Sequence, residues 1–224
     1  MPWPTLRLPL ALAALVTLTN AAKPVTVDDT AYLLHARHIR ERPADPYGFT
    51  LFWWDKPDDA MEVLSPPVIP YWLALGISIF GENIFLLKLW IFPFVSMLAI
   101  SMLFLLQHFA RGVGRNVLLL LMLSPAVVPS VNLMLDIPAA AIALTSVVLF
   151  IRSAHRKSGS LAVLAGLVAG LATQTKYSAF VAPAVILWLG LAHGRLRCAV
   201  LAAGVCAAVF IGWELFLVQK YGRS

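Results

Sequence analysis

Eight apolar runs follow one another along this chain, at residues 6–21, 67–80, 84–107, 116–134, 137–151, 160–174, 177–192 and 198–218. They are rich in Leu, Ala, Val and Ile and lack period-two alternation, so they read as helices, and a helix crosses the hydrocarbon core with roughly 17–25 residues. The shorter runs must borrow flanking positions. Between most of them only a handful of residues is left, too few for a soluble domain. With 60% hydrophobic and 12% charged residues, against about 25% charged in a soluble domain, the chain has too little polar surface to cover a water-soluble core. It reads as an integral multi-pass membrane protein whose surroundings are the lipid bilayer.

The formal charge of +6 does not point to nucleic acid. The Lys and Arg residues sit in short clusters between apolar runs, where the positive-inside rule explains them. Residues 67–80, opened by Pro66-Pro67 and closed by Gly81-Glu82-Asn83, suit a juxtamembrane helix better than a span. If that segment does not cross, Arg7, Arg111 with Arg115, Arg152 with Arg156 and Lys157, and Arg195 with Arg197 all fall on one side. The expectation is an all-α polytopic membrane helix bundle of about seven transmembrane helices, a single transmembrane domain over 1–224 with its bundle at 84–218. The N-terminus is then cytoplasmic, in a cell (inner) membrane. The 22–66 loop, the Asp136 turn, the Gln174-Thr175-Lys176 turn and the C-terminal Lys220–Ser224 become extracytoplasmic. A cleaved signal peptide at 6–21 is the competing reading of the first run; a retained span fits better because it anchors the loop that follows. The ending just past a span reads as the N-terminal part of a longer protein. Cys198 and Cys206, eight residues apart in one helical run, lie roughly 12 Å apart by helical rise and cannot pair.

Within this frame a few polar residues stand out. Asp28 to Arg42 reads as an amphipathic helix, with Tyr32, Leu33, Ala36 and Ile39 at helical spacing and His35, Arg37, His38, Arg40 and Arg42 around them. Asp28 and Asp29 at its start are N-cap candidates or a reaction centre, because carboxylates beside hydrocarbon persist only when compensated. Asp136, followed by Pro138, is a helix cap or a second acidic participant. Lys176 either snorkels to the headgroups or meets an anion. The topology sends all four to one face. A carboxylate pair and a cation at such a boundary suit group transfer from an anionic lipid, one carboxylate deprotonating the acceptor while the cation stabilises the departing phosphate. No phosphate-binding loop or dinucleotide fingerprint is present.

Four stretches in order carry a family resemblance: Asp28-Asp29-Thr30-Ala31-Tyr32 with Ala36; Pro66-Pro67-Val68-Ile69-Pro70-Tyr71-Trp72 leading to Phe80-Gly81-Glu82; Met134-Leu135-Asp136-Ile137-Pro138; and Gly166 through Gly170 to Thr175-Lys176-Tyr177. On these the chain resembles the membrane glycosyltransferases of the GT-C superfold, particularly the family 39-like and aminoarabinose-transferase-like group that uses polyprenyl-phosphate sugars. The resemblance implies inverting transfer of a hexosyl or pentosyl group from a lipid-linked donor, with Asp28 ahead of Asp29 as catalytic carboxylate and Asp136 as a second acid. It implies Tyr32, His35, Lys176 and Tyr177 as substrate-binding residues, and Asp28 and Asp136 as the ligands of a divalent cation if one takes part. Ser65 departs from the pattern, standing where relatives often carry Lys, His or Asn.

Two other classes compete. A proton-coupled transporter would use intramembrane Asp and Lys as an ion path, but needs a midplane site and related halves, and no internal repeat is evident. An inactive or accessory fragment would pack on partners, for which Gly166-Leu167-Val168-Ala169-Gly170 offers a close-contact face, equally usable within the chain. Trp53 and Trp54 in the first loop read as interface anchors or as part of an acceptor site.

Overall fold

The computed structural model describes residues 6–110 and 112–224; Arg111, a member of one basic cluster, lies outside the described residues. The chain forms two compact units divided between Pro138 and Ala139.

The first unit opens with α1 (Arg7–Ala21). Its buried Leu12, Ala13, Val16, Thr17 and Asn20 recur at helical spacing and turn one face onto α6 (Phe92–Phe109). Lys23-Pro24 ends that run, and α2 (Val27–Glu41) follows almost at once. Its start is set by Thr26, whose backbone N–H donates to Asp29 at the third helical position, 3.0 Å away. Leu33, Ala36 and Ile39 form the buried stripe that packs on α4 (Val68–Phe80). Burial of each large aliphatic side chain stabilises by roughly 1.5–3 kcal/mol.

Between α2 and α4 the chain departs from all-α expectation. A small antiparallel hairpin, β1 (Thr50–Phe52) with β2 (Pro57–Asp59), pairs Thr50 with Asp59 and carries Trp53 and Trp54 at its tip. Asp59 then caps α3 (Ala60–Val63), accepting from the Met61 N–H at 2.9 Å.

The thirteen residues of α4 rise about 20 Å, short of the roughly 30 Å hydrocarbon core. Gly81, at φ +63°, ends the helix in a backbone region where only glycine is unstrained. α4 is fixed to the start of the next span by Trp72 and Trp90. Their rings stack at 4.6 Å, and each indole N–H donates to the other's backbone carbonyl, at 3.1 and 2.9 Å. Opposite Trp90 sits Gly76, where a Cβ would come within 2.6 Å of the Trp90 ring.

α5 (Ile84–Leu89) and α6 together form the apolar stretch Ile84–Phe109, long enough to cross a membrane. The run at 116–134 differs from expectation: α7 (Gly114–Met122) stops after nine residues, and a 3-10 turn at Val128–Ser130 follows. Pro125 and Pro129 explain the break, since proline has no N–H for a continuing helix.

The second unit contains most of α8 (Asp136–Arg156), with α9 (Gly159–Thr173), a 3-10 turn at Tyr177–Phe180, α10 (Val181–Ala192) and α11 (Leu196–Tyr221). A Cβ at Gly166 would strike the Ala202 carbonyl oxygen and at Gly170 would come within 2.6 Å of the Val209 Cβ. The glycine pair therefore serves close packing inside the chain. The matched positions advance together along both helices, so α9 and α11 run parallel. The Thr173–Lys176 end of α9 and the Lys220 end of α11 thus share one end of this unit.

Among the described residues, Ile84–Phe109, Asp136–Arg156 and Leu196–Tyr221 are long and apolar enough to cross a membrane. The apolar helices Arg7–Ala21, Val68–Phe80, Gly159–Thr173 and Tyr177–Ala192 are shorter. Seven spanning helices are thus matched in part.

Candidate active site

The site begins where three backbone segments of the first unit meet. Asp29 is fully buried, and its carboxylate is spent on backbone: Oδ2 accepts from Thr26 N–H and Oδ1 from Leu133 N–H, each at 3.0 Å. The second bond spans more than a hundred residues and ties the start of α2 to the turn that opens α8. Beside it lies Lys88 of α5, only 2% exposed. Its ammonium donates to the carbonyls of Lys23 and Pro24, at 2.9 and 3.0 Å, and to Asn132 Oδ1 at 3.5 Å, and it feels the charge of Asp29. Asn132 in turn donates to Pro129 O at 3.0 Å. A buried carboxylate persists only when its oxygens are hydrogen-bonded; the Thr26 and Leu133 amides do this, and the nearby Lys88 ammonium adds a favourable charge without a direct ion pair among the described residues.

Asp28, one residue earlier and about 100° around the helix, faces the other way. It is exposed and has no hydrogen-bond or ion-pair partner among the described residues. It lines a cleft of about 450 Å³ shared with Arg37, Leu51, Phe52, Trp53 and Trp54. Arg37 pairs with Glu82 at 2.8 Å, both partly exposed; a surface pair of this kind contributes at most about 1 kcal/mol. The cleft thus combines a carboxylate, a cation and an aromatic wall. Phe52 and Trp54 stand 73% and 79% exposed, open to a bilayer surface or to a bound molecule.

Asp136 is exposed in the first turn of α8, three residues beyond the Leu133 N–H that Asp29 holds. The first turns of α2 and α8 therefore belong to one node, and helix N-termini favour negative charge nearby. Tyr32 is half-buried on α2. His35 is fully buried, its ring 5.2 Å from Tyr47 and 5.7 Å from Phe49. Burial lowers its pKa to about 3, with the Pro46 backbone acting the other way and His38 adding to the fall. His35 packs the first loop and has no surface to offer a substrate. The reason is its position on the α2 face that meets residues 47–49; its neighbour His38 instead places Nε2 2.7 Å from the Asp45 carbonyl.

Lys176 and Tyr177 belong to the second unit. Lys176 is half-buried after α9. Tyr177 is 51% exposed, with its ring edge-on to Phe210 at 6.3 Å. Among the described residues no group of three or more His, Cys, Asp or Glu side chains forms a metal site. Asp28 and Asp136, the expected ligands of a divalent cation, thus gain no third protein ligand there.

Three contributors escaped sequence reasoning. Lys88 was submerged in the apolar count of residues 84–107, although a lone ammonium in a spanning run is itself a signal. Asn132 carried no spacing that marked it. Arg37 was visible only as one of several polar residues around α2.

The family model described as dolichyl-phosphate-mannose-protein mannosyltransferase matches residues 64–215, about two thirds of the chain, from just before α4 to late in α11. Asp28 and Asp29 lie before the matched stretch. No curated protein and no solved structure gives a match.

Proposed function

Because the chain belongs to the dolichyl-phosphate-mannose-protein mannosyltransferase family, a family of GT-C membrane glycosyltransferases, we propose that it moves a sugar from a polyprenyl-phosphate donor to an acceptor hydroxyl, with Asp28 as general base. The observation that carries the assignment is the division between two adjacent acids. Asp29 is consumed by backbone hydrogen bonds, whereas Asp28 faces an aromatic-lined cleft with Arg37.

In this reading the acceptor O–H gives its proton to the Asp28 carboxylate as its oxygen attacks the anomeric carbon. The bond from that carbon to the phosphate oxygen breaks on the opposite side. Its electron pair leaves with the polyprenyl phosphate, and the anomeric configuration inverts. In the cleft of the first unit Arg37 is the cation offered to the departing phosphate, Asp136 orients the acceptor and Tyr32 borders the sugar. Lys176 and Tyr177 keep the donor-binding roles that the family resemblance implies for them.

The reaction is placed at the extracytoplasmic face of a seven-span bundle with a cytoplasmic N-terminus, α4 lying along the interface. Two features support this. The Asp29 to Leu133 hydrogen bond requires the first loop and the α8 entry on one side, and parallel α9 and α11 require an intervening return through α10.

The test is transfer of radiolabelled mannose from a polyprenyl-phosphate donor in membranes carrying the chain. Asp28→Asn is expected to reduce transfer by about 10²–10⁴-fold, the usual contribution of a general base, with protein level and melting unchanged. Transfer by Asp28→Asn at the parent rate would overturn the assignment.

A further inference from the structure

A second cleft lies in the second unit, at the end of α8 remote from Asp136. We propose that it takes the phosphate-bearing headgroup of an anionic phospholipid. This goes beyond sugar transfer and does not depend on it.

The cleft, about 190 Å³, is formed where the last turns of α8 meet the turn from α10 to α11. Phe150, Ala154 and Leu189 give it apolar walls; His155, His193 and Arg195 give it a polar rim. The two contributing stretches are some forty residues apart in sequence and close on one space. His193 is held in place through Nδ1, 2.9 Å from the Leu189 carbonyl oxygen. A tight turn presents it: Arg195 N–H donates to Gly190 O at 2.7 Å, and Gly194 adopts φ +63°.

Charge selects the occupant. His155, His193 and Arg195 line the cleft, Arg152, Arg156, Lys157 and Arg197 lie within three residues of them in sequence, and residues 139–213 contain no Asp or Glu at all. The unit's one acid, Glu214, lies eighteen residues into α11, roughly 27 Å along the helix from this end. The positive-inside rule accounts for basic residues near span ends, but not for their closing with Phe150 and Leu189 around a shared space. A small soluble anion would gain nothing from those apolar walls. A lipid seats its phosphate on Arg195 and the histidines and its glycerol and upper acyl carbons on Phe150 and Leu189. Basic pockets between membrane helices are used in this way.

The experiment uses the full chain, purified and delipidated in neutral detergent, with native mass spectrometry to count bound lipid. Dioleoyl-phosphatidylglycerol is expected to be retained at least tenfold more tightly than dioleoyl-phosphatidylcholine. The double variant His193→Gln with Arg195→Gln should lose that preference at unchanged helical circular dichroism, whereas Lys220→Gln at the opposite end should keep it. Equal retention of the two lipids, an undiminished preference in the double variant, or displacement of phosphatidylglycerol by millimolar inorganic phosphate would overturn the proposal. If the double variant does not fold, a photoactivatable phosphatidylglycerol on the parent chain decides. Its label must fall on peptides spanning 150–155 or 189–195, and label confined to other peptides would refute the site.

Discussion

At the scale of single residues, Asp28 and Asp29 show how one step along a helix separates chemistry from architecture. Asp29 holds two backbone N–H groups and its charge is felt by a buried ammonium, so its loss leaves both amides without their acceptor and removes that favourable charge from Lys88. Asp29→Asn, which turns one accepting oxygen into a donor facing a backbone N–H, is expected to destabilise the chain by about 1–3 kcal/mol, the cost of leaving a buried hydrogen-bonding group unsatisfied, read as a lower melting temperature in detergent. Asp28→Asn should melt like the parent. His35 gives a pH signature. Its pKa falls from 6.5 to about 3 on folding, so the unfolded chain binds the extra proton between those values. Stability from this group is fully present above pH 6.5 and is lost as pH falls towards 3, at up to about 1.4 kcal/mol per unit. His35→Phe should flatten that part of the stability profile; an unchanged slope between pH 4 and 6 would show that His35 is not the titrating group.

Among the elements, each unit is held internally by a joint of its own. In the first, Lys88 bonds the end of α1 and the turn before α8 next to Asp29 at the start of α2. A thermal double-mutant cycle of Lys88→Met and Asp29→Asn should show coupling, the double variant costing less than the sum of the singles. Additivity would show that the two charges act independently. In the second, Gly170→Leu should push α9 from α11, costing about 1–3 kcal/mol for overpacking, while Gly204→Ala, where nothing lies within 4 Å, should be neutral. Much of this was legible in sequence. The amphipathic helix at 28–42 corresponds to α2 and the proline-led segment at 67–80 to α4, because composition and punctuation agreed there. The expected span at 116–134 stops at Met122 because apolar content outvoted Pro125 and Pro129. The hairpin at 50–59 escaped because three residues per strand carry no readable period. Asp28 and Asp29 were legible as N-cap candidates, whereas the cap is Thr26 and Asp29 bonds it from the third helical position; the bond of Asp29 to Leu133 arises only from tertiary folding, and so does the burial of His35.

For the whole molecule, the proposed transfer needs the acids of the first loop and the lysine turn after α9 at one face of the membrane, where a lipid-linked donor and its acceptor can both arrive. The direct measurement is labelling of single cysteines in intact cells with a membrane-impermeant maleimide, on a chain whose Cys198 and Cys206 are replaced by alanine. Lys56→Cys at the hairpin tip and Ser178→Cys beside the lysine turn, both exposed, are expected to label without permeabilisation, and Lys157→Cys only after it. Labelling of Lys56→Cys and Ser178→Cys from opposite sides would contradict the account.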